Sequence, residues 1–203
     1  MKKLNIALIA GVLATSSLVA AAHADKASTG SDLVLKARLG AFNIHNDLKK
    51  TPGSTSSFKT NTGYMGEIAA DFFVTKNIAI EGAIGYGRTK YKFSSPTPTG
   101  NGKHHLGLIP VTATLQYHFM PDASFSPYVG AGYSYQFVSA KNIKNAGAPV
   151  AQIGADIPYN ETFGFNVDVK YAYKASHGIK NITGITKDKM STLTGLVGVT
   201  FPF

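Results

Sequence analysis

The stretch Thr162-Phe163-Gly164-Phe165-Asn166-Val167-Asp168-Val169-Lys170-Tyr171-Ala172-Tyr173-Lys174 alternates with a period of two. Phe163, Phe165, Val167, Val169, Tyr171 and Tyr173 fall on one side. Gly164, Asn166, Asp168, Lys170 and Lys174 fall on the other. Successive side chains of a strand point to opposite faces, so the stretch reads as a β-strand with one apolar and one polar face. An amphipathic helix would space its apolar residues by three and four instead.

The same pattern recurs on both sides of this stretch. Val129, Ala131, Tyr133, Tyr135 and Phe137 oppose Gly130, Gly132, Ser134 and Gln136. Ile109, Val111, Ala113, Leu115, Tyr117 and Phe119 oppose Thr112, Thr114, Gln116 and His118, and Ile78, Ile80, Ile84 and Tyr86 oppose Ala79, Glu81, Ala83, Gly85 and Gly87. In all, strand composition marks eight segments: 33–44, 63–74, 78–91, 106–119, 126–140, 148–159, 162–174 and 190–203. Short connections (75–77, 120–125, 160–161) alternate with long ones (45–62, 92–105, 141–147, 175–189). Transmembrane barrels combine an even number of antiparallel strands with short periplasmic turns and longer external loops. The expected fold is therefore all-β: an eight-stranded antiparallel transmembrane β-barrel, with its N-terminus periplasmic and its long loops external.

The N-terminal segment has the form of a secretory signal. Lys2 and Lys3 precede an apolar stretch that ends in Ala22-His23-Ala24, an A-x-A-like cleavage site. Residues 1–24 are read as a cleaved signal peptide and 25–203 as the barrel, with Asp25 at the mature start. A membrane-anchor helix is the other reading of the same stretch. Beyond it no apolar run approaches the roughly 20 residues of a spanning helix, so a mature chain that crosses a bilayer must do so as a closed barrel. The 203 residues contain no cysteine, which excludes disulfides and thiolate chemistry. Removing Lys2 and Lys3 takes the formal charge from +9 to +7. An exported chain with its lysines in loops is not read as a nucleic-acid binder. Lys49, Lys50, Lys59, Lys90, Lys92, Lys103, Lys141, Lys144, Lys180 and Lys187 are either solvated loop charge or a basic rim for anionic headgroups.

Periodicity does not say which face is outside, and a soluble lipocalin-like barrel alternates too. The polar face carries Lys36, Arg38, Glu67, Asp71, Glu81, Asp156, Asp168 and Lys170, but also Gly40, Gly85, Gly87, Gly130, Gly132, Gly154, Gly164 and Gly198. Glycine weakens a solvated strand, whereas inside a tight barrel it leaves room for larger neighbours. The apolar face has aromatics near strand ends (Tyr64, Phe72, Tyr117, Phe119, Phe163, Tyr173, Phe201, Phe203), as interfacial girdles require. The apolar face is thus placed in lipid. The inward charges, having both signs, are expected to pair with one another, as filling or as a gate.

From the fourth segment on, the residues resemble a known family. His104-His105-Leu106, Pro110-Val111-Thr112-Ala113-Thr114-Leu115-Gln116-Tyr117-His118-Phe119 and Ser126-Pro127-Tyr128-Val129-Gly130-Ala131-Gly132-Tyr133-Ser134-Tyr135 are similar to the OmpW family of small outer-membrane proteins. Leu35-Lys36-Ala37-Arg38-Leu39-Gly40 resembles that family's first strand, and Asp71-Phe72-Phe73-Val74-Thr75-Lys76-Asn77-Ile78-Ala79-Ile80-Glu81 its second hairpin. The resemblance implies location in the bacterial outer membrane and a narrow, partly hydrophobic channel for small hydrophobic molecules. The chain departs from the family in lacking every tryptophan and in placing Gly107, Leu108 and Ile109 before Pro110. The related opacity-type barrels share the fold and act as adhesins, so a non-conducting adhesin or scaffold is the alternative.

Candidate sites follow from parity. Phe42, Met65, Tyr128 and Leu196 are inward and apolar or amphipathic, and either line a constriction or fill the lumen. Catalysis is not expected: His45, His104, His105, His118 and His177 have no G-x-S-x-G nucleophile nearby, and the carboxylates are scattered one to a strand. No cofactor is expected. No metal site is expected either, since His104 and His105, as strand neighbours, point to opposite faces. Phe201 and Phe203 end an alternating strand and resemble the signal read by the barrel assembly machinery. That machinery, outer-membrane lipids and lipopolysaccharide, and small hydrophobic solutes are the expected partners.

Overall fold

The computed structural model describes residues 33–50, 57–94, 102–139, 145–175 and 185–203. The signal-like segment 1–24, the start at Asp25, Lys141, Lys144, His177 and Lys180 lie outside them. So do the side chains of Lys49, Lys50, Lys59, Lys92, Lys103, His104 and Lys187.

The described residues form β1 (Leu33–Lys50), β2 (Ser57–Thr60), β3 (Gly63–Phe73), β4 (Ile78–Ser94), β5 (Gly102–His118), β6 (Ser126–Ser139), β7 (Ala146–Pro158), β8 (Gly164–Ala175) and β9 (Ile185–Pro202). All neighbours are antiparallel, in the order β3-β1-β9-β8-β7-β6-β5, with β4 pairing both β3 and β5. β2 and β3 pair with successive parts of β4, so they are one barrel strand interrupted at Asn61 and Thr62. That leaves an eight-stranded barrel without an open edge, the only sheet that hydrocarbon tolerates. The seam is closed by the first and last strands, which pair from Val34↔Pro202 upward, with the Phe203 N–H donating to the Leu33 carbonyl at 2.8 Å.

The faces divide as parity requires. Leu39, Ile68, Leu115, Ile153 and Val197 are each more than half exposed, while Lys36, Arg38, Asp71, Glu81 and Asp168 are buried. So large an apolar belt is not sustained in water. Its counterpart, a charged interior, excludes the lipocalin-like alternative with its apolar cup.

Two expectations need correction. The strands run further toward the long connections than the alternation indicates. β1 reaches Lys50 and pairs with β9 as far as Lys50↔Ile185, so much of 45–62 and 175–189 is ladder rather than loop. Alternation records contact with lipid and lumen. Above the bilayer, backbone donors and acceptors still pair, whatever the side chains are. Lys174, expected inward, sits at a bulge with φ 51°, where the β8–β9 register shifts between Ala172 and Ala175. A bulge inserts an extra residue and flips the parity beyond it, so Ala175 points into the lumen instead, 1% exposed.

Candidate functional site

The interior is built in two layers. Toward the short-turn end, the inward residues of β1, β3, β4, β7 and β8 bring all eight predicted charges together. Lys36 and Arg38 are two apart on β1 and so share a face. On β3 and β4, Asp71 and Glu81 lie directly opposite each other, an arrangement of like charges that destabilises unless cations intervene. The cations come from other strands. Lys36 Nζ lies 2.7 Å from Asp71 and 3.0 Å from Asp156 of β7. Arg38 forks between Glu67, at 2.8 Å, and Glu81, with Asp168 at 3.6 Å. Lys170 reaches Glu67 and Glu81, each at 2.8 Å. β8 and β4 stand on opposite sides of the barrel, so the Lys170–Glu81 pair spans the whole lumen.

Neutral groups complete this layer. Gln152 donates to Glu81 at 3.0 Å and to Asp168 at 2.6 Å, while accepting from Thr114. Tyr128 donates to Asp168 at 2.6 Å, and Asn166 to Asp156 at 2.7 Å. The His118 ring lies against those of Phe73 and Tyr128, tilted to both, with centroids 4.9 and 4.8 Å away. Its ring nitrogens face Gln116 and Ser126. A side chain at Gly154 would collide with the Tyr128 ring, which is the space that the inward glycines provide. Asp71, His118 and Asp156 offer ligand atoms within 4.8 Å of one another, but the Lys36 ammonium already sits against both carboxylates.

The second layer lies toward the long connections and holds two apolar clusters, with Thr89, Ser134, Gln136, Thr192 and Thr194 buried among them. Phe42, Ile44, Met65, Leu106, Leu108, Met190 and Leu196 form one cluster, and the small residues Ala146, Ala148, Val150, Ala172 and Ala175 of β7 and β8 form another. Between the layers lies a cavity of about 30 Å³ bordered by Met65, Leu108, Pro110 and Lys170, room for roughly one water.

Sequence parity thus placed Phe42, Met65 and Leu196 together, but not Tyr128. Its ring lies 4.8 Å from Lys36 Nζ and its hydroxyl serves Asp168, so it belongs to the charged layer. Gln152, Asn166 and His118 were missed as members of that layer. Their inward parity was the available signal; their partners, on strands far away in sequence, were not visible. Phe201 and Phe203 are exposed on the outer surface at the short-turn end.

A closed antiparallel barrel with an apolar belt and a charged, internally paired lumen is an outer-membrane β-barrel. Residues 29–203 match the model of the OmpW family, and the chain belongs to that family. It is 28% identical to a Rickettsia conorii protein named as an outer-membrane protein, over 100% of this chain and 98% of the relative. A Rickettsia bellii protein named likewise is 32% identical over 84% of this chain and 80% of its own. The fold is similar to that of the outer-membrane protein AlkL solved in lipid bilayers, with a TM-score of 0.60 and 20% identity, over 89% of this chain and 95% of that one.

Proposed function

We propose that the barrel is a non-catalytic route by which small apolar solutes cross the outer membrane, entering from the long-connection side. One observation carries this reading: in the half of the lumen next to the long connections, two apolar clusters, large on β1, β3, β5 and β9 and small on β7 and β8, line the wall among a few threonines, Ser134 and Gln136. An apolar solute loses no hydrogen bonds there and gains burial. A hydrated ion gains nothing there, and below it would meet the paired Lys170–Glu81 and Arg38–Glu67 charges that reach across the lumen.

The charged layer blocks the solute as well, so its exit is through the wall. The β4–β5 ladder favours one place. Pairing lapses between Ile84↔Val111 and Gly87↔Leu108, opposite Pro110, which has no N–H to donate and borders the cavity.

The test is refolded protein in planar bilayers and in liposomes. We expect low ion conductance, with protein-dependent uptake of small hydrophobic solutes that Leu108→Asn slows. A large, stable, porin-like conductance rules the reading out. Equal uptake with and without the protein transfers the case to the adhesin or scaffold alternative.

A further inference from the structure

A groove runs over the outer surface of β1, β3 and β4, lined by Leu39, Ala41, Tyr64, Gly66, Tyr86 and Arg88. Gly66 is its floor. It pairs with Leu39 on β1 and with Tyr86 on β4, two large exposed side chains that make the walls. At the head of the groove Tyr64 lies opposite Arg88.

The height of Arg88 follows from its own strand. Ascending β4, the outward residues are Ile78, Ile80, Gly82, Ile84 and Tyr86, then Arg88 and Lys90. Ile78 to Tyr86 is about the 9–11 residues that a tilted strand needs to cross hydrocarbon. Arg88 therefore stands at the interface on the long-connection side, just above the aromatic girdle, where a charge on the lipid side is tolerated.

Arg88 is held there by the tyrosine below it. Its Nε donates to the Tyr86 hydroxyl at 2.5 Å, and its guanidinium lies 5.4 Å from that ring's centre. Among the described residues no carboxylate pairs with it. With Nε occupied, the two terminal amino groups remain as a planar pair of donors, the geometry that binds phosphate in two places. Gly107, its partner on β5, leaves room beside it, and Lys90 is exposed one outward position higher.

We propose that this groove binds one molecule of the phosphorylated glycolipid of the outer leaflet, lipid A. A phosphate sits on the Arg88 amino groups, Lys90 adds a second positive charge, and an acyl chain lies over Gly66 between Leu39 and Tyr86. This assignment is independent of whether the lumen transports anything. The groove lies over β1, β3 and β4, whereas the proposed exit lies at the β4–β5 ladder, and lipid retention is read without any solute uptake.

Native mass spectrometry of the full barrel, refolded in detergent with added bisphosphorylated lipid A, reads the site directly. One lipid A per barrel is expected. Arg88→Gln should lower its retention about tenfold, the loss of one charge-assisted pair of hydrogen bonds. Gly66→Val should do the same by filling the floor, where an added Cβ meets only the flexible Leu39 side chain at 3.4 Å and the Arg38 carbonyl oxygen at 3.9 Å. Lys76→Gln, at the opposite end, should leave retention unchanged, and heat-modifiability confirms that each variant is folded. Equal retention by wild type and both groove variants overturns the proposal. So does displacement by equimolar phosphatidylglycerol, which would make the groove a general phospholipid site.

Discussion

Arg38 is the residue on which the interior depends most. It is 2% exposed, and its guanidinium meets carboxylates from β3, β4 and β8 at once. Removing one partner of a buried pair costs about 3–5 kcal/mol, because the remaining charges lose compensation that water cannot replace. Arg38→Met should therefore lower barrel stability by about that amount, read as a shift in urea unfolding of protein refolded into vesicles. Arg38→Lys keeps the charge but not the fork, and should recover only part of the loss. Were Arg38→Met as stable as wild type, the charges would be filling that an apolar core could replace. The same residue shows why the site was only partly legible. Parity alone places Lys36, Arg38, Glu67, Asp71, Glu81, Asp156, Asp168 and Lys170 inward. Which cation meets which acid depends on the strand order and stagger around the barrel, and Lys170 meets Glu67 across 103 residues of chain.

At the level of the strand, β8 shows how far alternation carries and where it stops. From Gly164 to Tyr173 every side chain lies on the face that the period of two assigns, because lipid and lumen impose opposite requirements on neighbours. Beyond Tyr173 the rule breaks at Lys174, since a bulge is set by pairing with β9 and leaves no local mark in the sequence. The strand ends failed similarly: the mostly polar residues 45–50 and 185–189 look like loop, but all of them except Thr186, at a register shift, have a partner across the β1–β9 ladder. Within the legible part, the lipid assignment predicts a gradient. Val169, near the middle of β8 and opposite Ile153, should cost about 2–4 kcal/mol when replaced by arginine. Tyr173, nearer the long-connection interface, should cost about 0–1 kcal/mol for the same change. Refolding stabilities in thin and thick bilayers measure both. Equal costs would mean that β8 does not cross the bilayer as described.

The whole molecule exists as a barrel only if its last strand finds its first. β9 pairs with β8 on one side and β1 on the other, from Val34↔Pro202 to Lys50↔Ile185, so closure joins the two ends of the described chain. An unclosed edge in hydrocarbon leaves a row of unpaired donors and acceptors. At the bottom of this seam, Pro202 has no N–H to give, and the last backbone hydrogen bond is made by Phe203 to Leu33. The Phe203 ring is 70% exposed and Phe201 lies on the same outer side, so both can join an interfacial girdle. Two roles are to be separated at these residues, one read from the structure and one expected from the sequence. One is thermodynamic: a single hydrogen bond, worth about 0.5–1.5 kcal/mol net, and one aromatic anchor. The other is the recognition expected from the sequence, in which the assembly machinery would read an exposed, alternating, aromatic-ended segment before the barrel closes. Deleting Phe203 separates them. If recognition dominates, folded, heat-modifiable barrel in the outer membrane should fall sharply, while refolding yield in detergent, where nothing reads the segment, changes little. Equal losses in both assays would reduce the terminus to closure alone. Unchanged levels in the membrane would remove the recognition role, leaving the Val34↔Pro202 pair above to hold the seam.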